Sequence, residues 1–447
     1  MNTSSERVEN GRALRSAVPR SLHATWKPAS DRRDPIEILE ESNQGRVPEL
    51  IPIRFGRMLT NPFAFLRGSA ALMAYDLAAT PASGIRVQVC GDCHLANFGL
   101  FATPERNLVF DLNDFDETLP APWEWDIKRL AASFVVCGRQ NGISDRDCEA
   151  TARVLSQSYR THLAEFTRMR VLDIWYSRLD DKMLIATAPN AAAREYRKQI
   201  AAKARASVTE YLFPKLTSLK DGHRRIVDKP PLVYHLPEQG ITEERMLKLL
   251  AAYQDSLTPH MRKLFEHYHY EDFAFKVVGV GSVGTRCYIF LLLADSDDPL
   301  LLQAKEARAS VLEPYAGQSK FDHHGQRIVV GQRLMQSASD MFLGWMSSEA
   351  GIHYYFRQLR DTKFSVPLEA LSAAQLARYA QVCGWVLARA HAKGGDAALL
   401  SGYLGKSDAF DQALSKFAVS YADQTERDYA ALVKAVKSGR VPAITGS

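Results

Sequence analysis

Acidic and amide side chains concentrate in residues 85–117, and their types point to chemistry on phosphates. Two short apolar runs, Val87–Val89 and Leu108–Phe110, each lead into a loop that carries acidic residues. We expect the two runs to form a hairpin, because a turn at Pro104–Asn107 lies between them. Such a hairpin brings four side chains to one edge: Asp92, Asn97, Asp111 and Asp114. Carboxylate and amide oxygens suit Mg²⁺ that is held together with substrate phosphates.

The spacing of these residues sharpens the prediction. In protein kinases a metal-binding Asn follows the catalytic Asp by five residues, and a second metal-binding Asp comes on a later strand. Asp92 and Asn97 are five residues apart, and Asp111 follows the next apolar run. We predict that Asp92 orients or deprotonates a hydroxyl and that Asn97 and Asp111 bind metal, with Asp114 as the alternative to Asp111. Asp and Asn are also common turn residues, so a purely structural role in turns stays open for these side chains.

A second group of residues, Gly279, Gly281 and Gly284, forms a complete G-x-G-x-x-G pattern. The β-forming run that follows it favours a hairpin over the helix that the motif opens in dinucleotide-binding folds. A kinase glycine loop has this form, and glycine lets the backbone approach ATP phosphates without an intervening Cβ. A glycine-rich hairpin without a ligand is the plain alternative.

Lys305 ends the next predicted strand, Leu300–Ala304. Kinases place their ATP-binding lysine on the third strand, where it pairs with a glutamate of the following helix. Glu313 has the better separation for that glutamate, although Pro314 follows it, and Glu306 is the alternative. We therefore predict that the three glycines, Lys305 and Glu313 form an ATP site.

Cys90, Cys93 and His94 form a C-x-x-C-H pattern, which is typical of haem c attachment and also fits a redox dithiol or half a zinc site. Haem attachment needs an exported, oxidising setting. No second C-x-x-C follows, so a four-ligand zinc site lacks half of its ligands. A thiolate metal or haem protein is one of the hypotheses that remain.

A helix is predicted from near Asp126 to Gly138, after the prolines that close the acidic loop. Asp126 in its first turn suits the free N–H groups and the dipole of the helix. The same carboxylate could instead reach back and hold the catalytic loop, and both alternatives stay open.

The composition bounds the class of protein. The chain has 447 residues, 46% of them hydrophobic and 24% charged, which is enough for a large core and two or three lobes. A net charge of +5 is too small to predict a nucleic-acid partner, and six cysteines in this length indicate reduced thiols. The N-terminus has no apolar signal segment, and no apolar run approaches the ~18 residues of a membrane span. We therefore expect a cytoplasmic protein without a membrane partner.

The order of the motifs divides the chain. We predict a flexible arm over residues 1–34, a helical lobe with the catalytic and metal loops over 35–268, a β lobe with the glycine loop over 269–365, and C-terminal helices over 366–447 that pack on the helical lobe. The catalytic loops precede the glycine loop, which reverses the order of ordinary kinases. The expected fold is thus a helix-rich α+β, two-lobed, protein-kinase-like fold that is circularly permuted, as exposed loops and nearby termini permit.

Several motifs, in this order, resemble a bacterial family, the domain of unknown function 2252. The motifs are Phe65–Gly68, Cys90–Gly99, Phe110–Glu117, Trp125–Leu130, Gly279–Gly284 and Leu387–His391. The resemblance covers most of residues 35–400 and implies family membership without a particular chemistry. More distantly, the segments around Asp92, Asn97 and Asp111 are similar to the loops of aminoglycoside phosphotransferases, which usually carry a His where this chain has Cys90.

The sequence thus predicts a kinase-like phosphotransferase that uses ATP and Mg²⁺ and transfers phosphate to a hydroxyl of an unknown small molecule or protein. A pseudokinase, which binds nucleotide for regulation without turnover, is the rival hypothesis. The thiolate metal or haem protein is the third. The helices carry no recognisable code for the acceptor.

Overall fold

The structure is a computed structural model that describes residues 3–188, 190–206, 209–235, 242–296, 298–359 and 364–445. Helices predominate over antiparallel strands in these residues, which confirms the predicted helix-rich α+β class. Among them, no helix is both long and apolar enough to cross a membrane. The α-helices are α1 (Ser4–Ala13), α2 (Pro35–Glu41), α3 (Ile51–Met58), α4 (Pro62–Gly68), α5 (Ala70–Ala78), α6 (Trp123–Gln140), α7 (Asp145–Phe166), α8 (Val171–Tyr176), α9 (Asp181–Ala186), α10 (Ala191–Arg205), α11 (Thr209–Leu216), α12 (Glu243–Asp255), α13 (Pro259–Phe265), α14 (Glu313–Ala316), α15 (His324–Met335), α16 (Ala373–Gly394), α17 (Ala397–Leu404) and α18 (Ala409–Lys437). The strands are β1 (Arg86–Val89), β2 (Phe98–Ala102), β3 (Leu108–Leu112), β4 (Leu119–Pro122), β5 (Thr217–Lys220), β6 (His223–Ile226), β7 (Val233–Tyr234), β8 (His269–Lys276), β9 (Cys287–Leu293), β10 (Pro299–Glu306), β11 (Gly344–Ser347), β12 (His353–Gln358) and β13 (Phe364–Ser365).

The largest core lies among α6, α7, α16 and α18. α6 starts directly after Pro122, the last residue of β4, and it buries almost all of its side chains. α16 begins at a capping box, in which Ser372 and Gln375 each accept a backbone N–H from the other. Trp123 stacks on Tyr159 with ring centroids 5.7 Å apart, which joins α6 to α7. These helices form the body against which the loops of residues 90–117 pack.

Two small sheets carry the strands around the acidic stretch. β2 pairs with β3 and β13, whereas β1 pairs with β4. The predicted hairpin of Val87–Val89 with Leu108–Phe110 is therefore wrong. The turn between Ala102 and Leu108 instead joins β3 to β2, the nearer segment, and closing the shorter loop costs less chain entropy.

A six-stranded antiparallel sheet, in the order β11–β12–β10–β9–β8–β7, forms a separate layer. The glycine segment, residues 277–286, joins β8 to β9 as a hairpin. Tyr354 and Phe356 pack with α12 and α13 on one face of the sheet. Tyr355 and Lys305, which are paired in register, point to the opposite face because side chains alternate along a strand. That face meets the helical body.

The structure differs from the prediction in two segments. Residues 1–34 are predicted as a flexible arm, but α1 packs against α17, and Arg15 Nε donates to the Tyr403 carbonyl at 2.8 Å. Helices α12 and α13 fall within the predicted helical lobe, yet Tyr253 of α12 stacks on Phe356 of the sheet at 4.2 Å. Both segments dock on partners more than 100 residues away in the chain, and local periodicity cannot identify such partners.

Candidate active site

The loop of residues 90–97 lies against one face of α6, which holds it through buried polar side chains. Asp126 accepts hydrogen bonds from the N–H groups of Cys90 and Gly91 at 2.8 and 3.0 Å. Ser133 Oγ accepts a third backbone N–H of the loop at 3.1 Å. Residues 126, 129 and 133 are three and four positions apart, so Arg129 lies on the same helix face. The sequence left two roles open for Asp126, and it takes the one in which it holds the loop.

A second helix supports Asp126 from behind. His391 of α16 places its Nε2 3.2 Å from the Asp126 carboxylate, and its Nδ1 is 2.7 Å from the Tyr159 hydroxyl. In front, Gly91 has a φ of +84°, and a Cβ there would come within 2.3 Å of the Glu117 carbonyl oxygen. Only glycine fits at this position, so the loop has a fixed path between α6 and the acidic segment.

Asp92 points from this loop into a cleft. Its Oδ1 accepts a hydrogen bond from Arg129 Nε at 2.6 Å, and its side chain keeps 21% of its surface exposed. Burial raises the pKa of Asp92 above its ordinary value, although the Arg129 guanidinium acts in the opposite direction. Arg129 also donates to the Leu66 carbonyl at 2.8 Å, so the ion pair has a fixed orientation.

Asn97 and Asp114 lie beside Asp92 in the same cleft. Asn97 Nδ2 donates to the Asp92 carbonyl at 2.6 Å, and the Asn97 carbonyl accepts the Asn113 N–H at 2.8 Å. Asp114 Oδ1 accepts the Asp116 N–H at 3.2 Å. Burial and the neighbouring Asp116 carboxylate raise the pKa of Asp114. A cation in the cleft would therefore stabilise the ionised form of Asp114.

Asp111, the predicted metal ligand, lies outside this cleft. Its carboxylate accepts Arg389 Nη2 at 2.6 Å and the N–H and Oγ of Ser337 at 2.8 and 2.7 Å. Both members of the Asp111–Arg389 ion pair are 1% exposed. Strand β3 points Asp111 towards α16, and the chain turns towards the cleft only after Leu112. The structure thus brings Asp92, Asn97 and Asp114 together and leaves Asp111 in the core.

Lys305 also differs from the prediction in its partner. Its Nζ forms an ion pair with Asp116, and Tyr355 donates its hydroxyl to the same carboxylate at 2.7 Å. Burial disfavours the charged forms of both Lys305 and Asp116. The attraction between the two charges nevertheless raises the pKa of Lys305 and lowers the pKa of Asp116. Glu313, the predicted partner, instead accepts the Ser310 N–H at 3.2 Å. Sequence reasoning did not identify Asp116 as a site residue. The pattern that could have indicated it is its position two residues after Asp114.

The glycine hairpin has the backbone that its sequence requires. Gly279 and Gly284 have φ values of +65° and +89°, in the left-handed region that glycine adopts without strain. A Cβ at Gly281 would lie 3.1 Å from the Arg67 carbonyl oxygen, so the hairpin comes close to α4. The three glycines therefore let the hairpin fold down onto the helical body.

Side chains fasten the hairpin in this position. Arg57 Nη1 donates to the Gly279 carbonyl and Arg46 Nη1 to the Val283 carbonyl, both at 2.6 Å. Ser282 Oγ lies 3.3 Å from the Asp116 carboxylate. The hairpin is thus tied to the same aspartate that holds Lys305.

Two cavities meet at the hairpin. The larger, of about 750 Å³, is lined by Lys305 and Asp114, and the smaller, of about 320 Å³, by Asp92 and Asn97. Asp114, Gly279 and Ser282 line both cavities, so the two form one cleft. Volumes of this size are typical of small-molecule sites. The structure places Asp92, Asn97, Asp114, Lys305, Gly279 and Gly281 in the lining of this cleft, whereas Asp111, Glu313 and Gly284 are not part of it.

The cysteine pair lies behind the loop. Ligand atoms of Cys90, Cys93 and Asp126 lie within 4.8 Å of one another, a spacing that could hold a metal. Burial raises the pKa of both thiols, that of Cys93 to about 11, which opposes the deprotonation that metal binding needs. The Asp126 oxygens already accept hydrogen bonds from the loop. His94 packs against the Phe63 ring, with ring centroids 6.3 Å apart.

The different surroundings of Asp111 and Asp114 predict different effects on stability. Asp111→Asn leaves the Arg389 charge buried without its counter-charge, so we expect a loss of about 3 kcal/mol in the free energy of unfolding. Asp114→Asn should change this free energy by less than about 1 kcal/mol, because burial and Asp116 already disfavour its charge. Urea denaturation followed by circular dichroism measures both. Equal destabilisation by the two variants would contradict the assignment of Asp111 to the core.

Comparison with known proteins identifies the family. A family model described as "Uncharacterized protein conserved in bacteria (DUF2252)" matches residues 46–435, which include the loop of residues 90–97, α6 and the glycine hairpin. No curated protein and no solved structure gives a significant match. The more distant similarity to aminoglycoside phosphotransferases stays a prediction. Because the family model spans most of the chain, the chain belongs to the DUF2252 family of proteins conserved in bacteria.

Proposed function

We propose that this protein is a phosphotransferase that uses Mg²⁺ and ATP and phosphorylates a hydroxyl group of a small molecule or a protein. One observation carries the proposal: the glycine hairpin and Lys305 line the same cleft as Asp92, Asn97 and Asp114. The two groups are about 200 residues apart in the chain, yet they line adjoining cavities that share Asp114, Gly279 and Ser282.

The order of elements in the sheet supports a kinase-like fold. The glycine hairpin connects two strands, Lys305 lies on the next strand, and α15 follows it, as the glycine loop, lysine and helix follow one another in kinases. The loops with Asp92 and Asp114 precede this unit in the chain instead of following it. The proposed fold is therefore a circularly permuted, two-lobed kinase-like fold.

The residues of the cleft fit Mg²⁺ and ATP. Asp114 and Asn97 offer the carboxylate and amide oxygens that Mg²⁺ binds beside phosphates. Asp114 is the preferred ligand over Asp111, because the Asp111 carboxylate is already taken by Arg389 and Ser337. Lys305 and the backbone of the hairpin would hold the phosphates, and Asp116 would orient Lys305 in the position of the kinase glutamate. The bound nucleotide supplies the phosphoryl group.

Asp92 is suited to act on the acceptor hydroxyl. Arg129 fixes Oδ1 of Asp92, and Oδ2, which lies 3.8 Å from His94 Nε2, would meet the substrate. Its raised pKa brings the carboxylate closer to the basicity that proton transfer at neutral pH requires. Its role is to orient the hydroxyl and to accept its proton as the phosphate is transferred.

A pseudokinase is the second candidate, and two observations favour it. Asp92 is held in an ion pair with Arg129, and Cys90 stands where related loops usually have a His. A pseudokinase would bind Mg-ATP without turnover, so nucleotide binding and catalysis must be tested separately. The thiolate hypothesis has only the spacing of Cys90, Cys93 and Asp126 in its support.

Nucleotide binding is tested at Lys305. Lys305→Met should weaken Mg-ATP binding by at least about tenfold, because one charged hydrogen-bond partner of the phosphates is lost. Isothermal titration calorimetry measures the affinity for Mg-ATP directly. A thermal shift alone would not suffice, because the loss of the Lys305–Asp116 ion pair also lowers stability. Lys248→Met, on the exposed side of α12, is the matched control and should bind like wild type. Wild-type protein that binds no Mg-ATP at millimolar concentration would refute the proposal.

Catalysis is tested by comparing Asp92 with Asp114. Asp92→Asn should bind Mg-ATP normally and lose ~10²–10⁴-fold in the rate of ATP turnover, because its role concerns the acceptor or water. Asp114→Asn should lose both binding and turnover, because it holds the metal. Phosphate release measures turnover, and thermal melting checks that both variants fold. Turnover that is unchanged in both variants would show that the assigned roles are wrong. Wild-type binding without turnover, with water or added hydroxyl compounds, would favour the pseudokinase.

A further inference from the structure

Five arginines line the smaller cavity, and we call three of them, Arg46, Arg54 and Arg308, the arginine cluster. Their recorded bonds all go to uncharged oxygens. Arg46 donates to the carbonyls of Ser42 and Val283, Arg54 to the Asn43 side chain and the Gly68 carbonyl, and Arg308 to the Gln44 carbonyl. Among the residues that the structure describes, none of the three has a carboxylate within 4.0 Å.

The three guanidinium groups lie close enough to disfavour one another's charge. Burial and then Arg308 lower the pKa of Arg46 to about 10, although Glu117 and Glu306 act in the opposite direction. Burial, followed by Arg46 and Arg308, lowers the pKa of Arg54 well below its ordinary value. Buried charge without a counter-charge is costly, so this arrangement suits a bound anion.

Of the carboxylates in the described lining, Asp114 and Glu117 each accept a backbone N–H, and the other four have cationic partners. Asp92 pairs with Arg129, Asp116 with Lys305, and Glu306 with Arg286. Two further arginines belong to the lining. Arg67 lies near the carboxylates of Asp92 and Asp114, whereas Arg33 is paired with Glu41 and provides an internal comparison. The direct partners of the cluster arginines are thus uncharged oxygens, and a bound anion would give the cluster a counter-charge in direct contact.

The cluster also keeps donors for a ligand. Arg54 is 2% exposed, and its buried Nε has no hydrogen-bond partner in the described residues. The recorded bond of Arg308 uses Nη2, and those of Arg46 use Nε and Nη1. Planar guanidinium groups with free N–H donors match the oxygens of a phosphate.

We propose that the acceptor carries a phosphate group besides its hydroxyl, and that the arginine cluster binds this phosphate while Asp92 meets the hydroxyl. The inference rests on the proposed phosphotransferase function. The cavity of about 320 Å³ contains both the cluster and Asp92, so one small molecule can reach both. Under the proposed function, the phosphates of ATP would lie beneath the hairpin, beside Lys305 in the larger cavity. A phosphate dianion matches a group of three cations better than a single carboxylate does.

Binding of inorganic phosphate tests the inference without a known acceptor. The full chain is titrated with phosphate in the presence and absence of Mg-ATP, and sodium acetate and chloride at equal ionic strength serve as ion controls. We expect phosphate to bind in both cases and acetate to bind more weakly. Arg308→Gln should weaken phosphate binding by at least about tenfold and leave Mg-ATP binding unchanged. Arg33→Gln is the matched control in the same cavity, and it should bind phosphate like wild type.

The results separate this inference from the proposed function. If phosphate binds normally to Arg308→Gln, the arginine cluster is not its binding site. If Mg-ATP displaces phosphate, the phosphate occupies the nucleotide site. Either result would overturn the inference. If acetate binds as tightly as phosphate, the cluster does not prefer phosphate over a carboxylate. That result would overturn the assignment of a phosphate-bearing acceptor. Mg-ATP binding without any phosphate binding would overturn the inference while the proposed function stands.

Discussion

The contact between α6 and the loop of residues 90–97 is the constraint on which the rest of the site depends. α6 is buried along its length, so its polar side chains each need a partner in the interior. Asp126 and Ser133 find theirs in the backbone of the loop, and Arg129 finds its partner in Asp92. The loop in turn needs these groups to satisfy its N–H donors. Helix and loop therefore fix each other, and Asp92 points into the cleft as a result.

A second constraint is the distribution of charge along the acidic segment. Asp111 is neutralised in the core by Arg389, and Asp116 is neutralised across the cleft by Lys305. Asp114 lies between them with a backbone N–H as its recorded partner. The end of β3 at Leu112 produces this difference, because the strand directs one carboxylate inward and the loop directs the next ones into the cleft. The Lys305–Asp116 ion pair also joins the sheet to the helical body. The cleft thus lies between two layers that this ion pair links.

Sequence reasoning reached the features that depend on local pattern. The glycine spacing before a β-forming run predicts the hairpin. The position of Lys305 at the end of an apolar strand predicts that this lysine lies close to the hairpin. Sequence reasoning does not reveal contacts between distant residues. The sequence favours Asp111 over Asp114 as a metal ligand, because Arg389, the partner of Asp111, is 278 residues away and leaves no local trace. The sequence favours Glu313, with Glu306 as the alternative, because it does not show that the fold brings Asp116 to Lys305. The pairing of β1 with β4 and the docking of α1 on α17 depend on the same kind of long-range contact.

The central claim is that the glycine hairpin, Lys305, Asn97 and Asp114 form a single metal–nucleotide site. A crystal structure with Mn²⁺ and a non-hydrolysable ATP analogue tests it most directly, because anomalous scattering locates the metal independently of its ligands. The account predicts one metal position about 2 Å from the side-chain oxygens of Asn97 and Asp114, with the triphosphate beneath the hairpin and beside Lys305. A metal at Asp111 or between Cys90 and Cys93, or an analogue bound away from the hairpin, would contradict it.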